Sequence, residues 1–112
     1  MEIIFKDKAM ERIFNSEREL NRKYGENAKK IQLRMQVLAQ ALNLSEVPSQ
    51  PPDRRHPLTG NRMGFFAVDL KHPFRLVFEP IGKIEYLKDG GLDLEKVTSI
   101  QIIEVVNYHD GK

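Results

Sequence analysis

With no cysteine in the chain, the side chains that could do chemistry are three histidines, three tyrosines and the carboxylates and arginines around them. His56 follows directly on Arg54 and Arg55, with Arg62 a few residues on. Arg75 interrupts an otherwise apolar stretch, Phe74-Arg75-Leu76-Val77-Phe78, and Asn107-Tyr108-His109 closes the apolar run that starts at Ile100. Histidine, titrating near pH ~6.5, can take or give a proton, whereas tyrosine at ~10 needs neighbouring cations to do so. Arginine keeps its charge and offers a fork of donors to phosphate. A 2′-hydroxyl attacking its own phosphodiester needs a base, an acid for the departing 5′-oxygen and a cation for the phosphorane. The inventory matches that reaction, metal-free RNA cleavage, if His56 and the end of the last strand meet in space. Taken singly, each residue has a plainer reading: a solvated loop histidine, a surface Tyr-His pair, an Arg75 paired with Asp69 or Glu79.

Other chemistries fit less well. A metal could be held only by His56, His72, His109 and carboxylates, and no His-x-x-x-His or His-x-His spacing exists, so neither metal nor cofactor is expected. Gly60 and Gly64 flank Asn61-Arg62-Met63 without the Lys-Ser/Thr of a phosphate loop. Paired carboxylates are not evident: Glu104 alone sits in an apolar run and reads as a strand residue facing solvent or pairing locally. Absence of cysteine removes disulfides, thiolate zinc sites, iron–sulfur clusters and cysteine nucleophiles.

The net charge of +2 hides an uneven distribution. Residues 1–62 carry 12 Lys/Arg against 8 Asp/Glu, and residues 63–112 carry 6 against 8. Between Arg54 and Arg75, the cations Arg54, Arg55, Arg62, Lys71 and Arg75 face only Asp69, a nearly unopposed cluster that could steer a polyanion such as RNA. A second basic group, Arg22, Lys23, Lys29, Lys30 and Arg34, is interspersed with Glu17, Glu19 and Glu26 and reads as the solvated face of a helix.

The elements that must position these residues can be read from patterning. At 112 residues the chain suits a single domain, 1–112. Its longest apolar runs are a few residues, far short of the roughly 18 of a membrane span, and Met1 to Asp7 has no apolar core of a signal peptide, so a cytoplasmic protein without membrane contact is expected. Ile3-Ile4-Phe5 reads as a strand, Asp7 as the cap of a helix bearing Met10, Ile13 and Phe14, and Ser16 as the cap of a helix to about Tyr24. Tyr24, Ala28, Ile31, Met35, Leu38 and Leu42 form one apolar stripe, predicting a helix of about five turns packed on a sheet. Four prolines between Val47 and Pro57 demand a loop, which delivers the basic cluster. Phe65–Leu70 and Phe74–Glu79 form a hairpin around Lys71-His72-Pro73, and Ser99–Tyr108 reads as an interior strand. The expected class is α+β: a small, mainly antiparallel sheet with N-terminal helices on one face.

Three stretches carry a resemblance: His56-Pro57-Leu58-Thr59-Gly60-Asn61-Arg62-Met63-Gly64, Phe74-Arg75-Leu76-Val77-Phe78 and Glu104-Val105-Val106-Asn107-Tyr108-His109. In that order they resemble the HigB branch of the RelE/ParE toxin superfamily. The resemblance implies the toxin of a type II toxin–antitoxin pair, an endoribonuclease (mRNA interferase) cutting mRNA in the ribosomal A site without a metal. It implies a helix-turn-helix, HigA-like antitoxin as partner, with operator DNA contacted only through that antitoxin. By position it marks His56, Arg75, Asn107, Tyr108 and His109 as candidate catalytic residues, and Arg62 as part of the basic turn. Asn107 stands where the family usually has Asp, which keeps open a non-catalytic module on the same scaffold: a gyrase-binding protein, or a degenerate toxin acting in transcriptional autoregulation. A plain basic RNA-binding protein is a third reading. For RNA or ribosome contact the candidates are Arg54, Arg55, Arg62 and Lys71.

Overall fold

A computed structural model describes residues 1–107. Strand β1 (Glu2–Phe5) leads into helices α1 (Lys8–Phe14) and α2 (Glu17–Tyr24), each opened by the side chain expected of it. The Asp7 carboxylate accepts from the Met10 amide at 2.8 Å, and the Ser16 hydroxyl from the Glu19 amide at 3.1 Å, satisfying amides that the first helical turn leaves unpaired.

The long apolar stripe is divided rather than continuous. Gly25, at φ 55°, ends α2, a single 3₁₀ turn (Gly25–Asn27) follows, and α3 runs only from Ala28 to Gln40. Ala41 is already extended, with ψ 137°, so Leu42 leaves the helical face and is 75% exposed. The stripe is confined to Ala28, Ile31, Met35 and Leu38, and the five-turn helix is corrected to a shorter one.

The remaining strands are β2 (His56–Pro57), β3 (Phe66–Asp69), β4 (Phe74–Pro80) and β5 (Ser99–Asn107). They form one sheet in the order β1-β5-β4-β3-β2, with β1 parallel to β5 and every other pair antiparallel. The interior position expected for the last strand holds, since β5 lies between β1 and β4. The prolines confine the loop before β2 to irregular backbone, and β2 is a two-residue edge segment, where a proline without an N–H is tolerated.

One face of the sheet carries the core. Leu20 of α2 and Ile31 and Leu38 of α3 pack with Phe66, Val68, Leu76, Phe78, Ile100 and Ile102, and the last five strand residues are almost completely buried. Because side chains alternate along a strand, the opposite face receives the intervening residues. There Leu58, Ala67 and Val77 form a smaller apolar cluster with Phe65, Ile103 and Val106, and no helix of the described residues contributes to it.

Candidate active site

Register assembles the site on that helix-free face. His56 lies opposite Ala67, Ala67 opposite Val77, and Val77 opposite Glu104, so one row across four strands begins with the histidine and ends with a carboxylate. In the next row, Asp69 lies opposite Arg75 and Arg75 opposite Val106. Directly opposed residues of antiparallel strands share a face. Arg75 thus stands in an apolar strand because its neighbours Leu76 and Phe78 point into the core while it points the other way. Asn61 and Arg62 of the 3₁₀ turn Gly60–Arg62, with His72 and Pro73 of the hairpin connection, wall a cleft of about 500 Å³ whose lining includes Arg54, His56, Arg62, Asp69, His72 and Arg75.

His56 is the best-defined group in it. Its Nδ1 lies 2.7 Å from the backbone oxygen of Arg54, which can only accept, so Nδ1 carries the proton and donates. Nε2 is buried and has no hydrogen-bond partner among the described residues. Burial holds the imidazole below its ordinary pKa, and the charges of Arg54 and Arg75 add to the depression, against the raising influence of the bond to Arg54 and of Asp69. At neutral pH the ring is therefore uncharged, with the Nε2 lone pair unclaimed.

The cations are less unopposed than segment counting suggests. Arg54 grips Asp69 with a fork of 2.6 and 3.0 Å, and Arg62 meets Glu104 at 2.5 Å. Lys71 reaches Glu26 at 2.8 Å, and Arg55 donates from Nε to the Val47 carbonyl at 2.9 Å. Neither Lys71 nor Arg55 lines the cleft. Burial draws the Arg55 guanidinium below its usual pKa, a side chain turned toward the loop rather than toward a ligand. The nearly unopposed cluster is corrected: three of its five cations, Arg54, Arg62 and Lys71, meet acids, and Glu104 of β5 and Glu26 of the turn before α3 come from outside the segment.

A second correction concerns Arg34, expected on a solvated helix face. It is 5% exposed, with Nε 2.6 Å from the Asp69 carbonyl, a terminal nitrogen 3.3 Å from the Pro52 carbonyl, and Asp53 at 3.7 Å. The signal was available: Arg34 lies between Ile31 and Leu38 at helical spacing, on the buried face. Asp53, also buried, was not singled out from the sequence at all.

Among the other candidates, Asn107 ends β5 opposite Phe74 and is partly buried, outside the cleft lining. Tyr108 and His109 lie outside the described residues. Among the described residues, no group of three or more His, Asp or Glu could hold a metal ion, and no helix is long and apolar enough to cross a membrane.

The architecture is thus an α+β fold, helices on one face of a five-stranded mixed sheet and a histidine-arginine cleft on the other. Among solved structures, the chain is similar to a YoeB/ParE toxin from Agrobacterium tumefaciens, with a TM-score of 0.54 and 13% sequence identity over 94% of this chain and 95% of that chain. At that identity the likeness is one of fold. No protein-family model matches the chain, and no curated protein matches it in sequence.

Proposed function

We propose that this chain is the toxin of a type II toxin–antitoxin pair, a single domain that cleaves messenger RNA in the ribosomal A site without a metal ion. The observation that carries the reading is the unpartnered, buried Nε2 of a neutral His56 in a cleft lined by Arg54, Arg62 and Arg75. A buried polar atom without a partner calls for an explanation, and a lone pair kept for a 2′-hydroxyl supplies one, with RNA binding required to uncover Nε2, which solvent does not reach in this structure. His56 takes that proton, Arg75 faces the phosphorane charge, and His109 or Tyr108 returns a proton to the 5′-oxygen. The HigB-type motifs and the likeness in fold to a YoeB/ParE toxin support this reading. Its partners are then a helix-turn-helix antitoxin and ribosome-bound mRNA, in the cytoplasm.

Expression of the chain in cells followed by mapping of mRNA ends tests it. New, codon-linked ends are expected; unchanged growth with no new ends sinks the toxin reading.

A second reading, a non-catalytic module on the same scaffold, is favoured by Asn107 in place of the usual Asp and by the acids that occupy Arg54 and Arg62. Protein that binds its antitoxin or gyrase but never cuts mRNA on ribosomes would establish it.

A further inference from the structure

We infer that Asp69 and Arg34 are positioning residues that decide which nitrogen of His56 bears the proton, by locking the backbone of Arg54. The inference rests on the reading of His56 as a base, and it concerns two residues that act on the imidazole through the Arg54 backbone.

The lock can be followed bond by bond. The proton stays on Nδ1 because the Arg54 carbonyl lies 2.7 Å away to receive it. That carbonyl is aimed by an Arg54 backbone at φ 46°, a left-handed conformation that side chains other than glycine, asparagine and aspartate rarely adopt. Such a conformation persists only where its surroundings over-determine it. Here the Asp69 carboxylate holds the Arg54 guanidinium by two bonds. Asp69 is itself fixed on both sides of its own backbone, its amide donating to the Asp53 carbonyl at 2.8 Å and its carbonyl accepting from Arg34 at 2.6 Å. Arg34 also bonds the Pro52 carbonyl and faces the Asp53 carboxylate. A buried arginine on α3 therefore ties the loop just before Arg54 to the strand whose acid grips Arg54. Without the lock, the imidazole can carry its proton on Nε2, the nitrogen that must be bare to act as a base.

The test reads the imidazole directly. In the ¹⁵N-labelled full chain at pH 8, the His56 nitrogen shifts should report the Nδ1–H form. Asp69→Asn, nearly isosteric and at a partly exposed position, should move a large part of the population to Nε2–H, and Arg54→Gln should do the same. Arg54→Gly should retain Nδ1–H, because glycine adopts a positive φ at little cost, and adding Asp69→Asn to it should change nothing more. Arg34→Lys keeps the charge but loses the divergent donors, and should shift the population in the same direction.

On ribosomes, Asp69→Asn should lower kcat about 10-fold or more with a smaller change in KM, since only the reacting proton is misplaced. An Nε2–H form in the parent chain, or an unchanged population in both Asp69→Asn and Arg54→Gln, overturns the inference. An unchanged population in Arg34→Lys removes Arg34 from it. A shifted population in a chain that cuts no RNA leaves the positioning intact and removes the catalytic reading instead.

Discussion

The two faces of the sheet use the same strands for opposite ends. On the helix side, Phe66, Val68, Leu76, Phe78, Ile100 and Ile102 are sealed beneath α2 and α3. On the other side, residues one position along carry His56, Asp69, Arg75 and Glu104 above a thin apolar patch of Leu58, Ala67 and Val77. Alternation of side chains thus puts the apolar core and the charged cleft on opposite faces of the same strands. The helix face buries its apolar side chains almost completely, whereas the open face carries charged ones, and Arg34 and Asp53 are charged residues buried elsewhere.

Substitutions can break that division or sharpen it. The largest effect is expected from Phe78→Ala, which empties a fully buried site and should cost about 3–5 kcal/mol, measured by urea denaturation. Retained stability would mean that the helix face is not the main core. Next, His56→Gln should leave the denaturation curve at neutral pH nearly unchanged while reducing ribosome-dependent cleavage by about 10²–10⁴-fold; full activity would remove His56 from the mechanism.

The same histidine should make stability depend on pH. Its folded-state pKa is lowered, so the unfolded chain takes up the proton first as pH falls. Its contribution is complete above about pH 6.5, declines as pH drops from there toward the lower folded value, and then levels off. His56→Gln should flatten that part of the stability profile, and a profile identical to that of the parent chain would contradict the assigned shift.

A smaller loss, about 1 kcal/mol, is expected from Asp7→Ala, which leaves the Met10 amide without its cap. The smallest belongs to Arg22→Ala. The Arg22–Glu19 pair at 3.6 Å has an arginine 74% exposed and should contribute about 0.5 kcal/mol or less, visible only as a slight shift in melting temperature.

Local features were the legible ones. Ser16 with Glu19 marked the start of α2, and Phe65 to Glu79 read as a hairpin, because caps and turns are decided by residues a few positions apart. Leu42 misled because helical spacing continues in the sequence after the backbone has turned extended at Ala41. In the site, the alternation around Arg75 was visible in Phe74-Arg75-Leu76-Val77-Phe78. The partners of the cations were not, since Glu26 and Glu104 reach Lys71 and Arg62 from elements far along the chain. Arg34 was legible in principle, at the spacing of Ile31 and Leu38, but a charged residue on a helix invites a surface reading. No pattern in the sequence announces the left-handed backbone of Arg54.

The parallel pairing of β1 with β5 has a consequence for how the molecule comes into being. Glu2 lies beside Ser99 and Phe5 beside Ile102, so the first strand waits for the last described one before it has a neighbour. Pairings of such sequence separation are slow to form, because the chain must close a long loop before any contact rewards it. The β3–β4 hairpin can assemble early, but the row from His56 to Glu104 exists only when β5 has docked. During synthesis the cleft therefore stays incomplete until the end of β5 has emerged, and a nascent chain carries His56 without the rest of the row across the sheet.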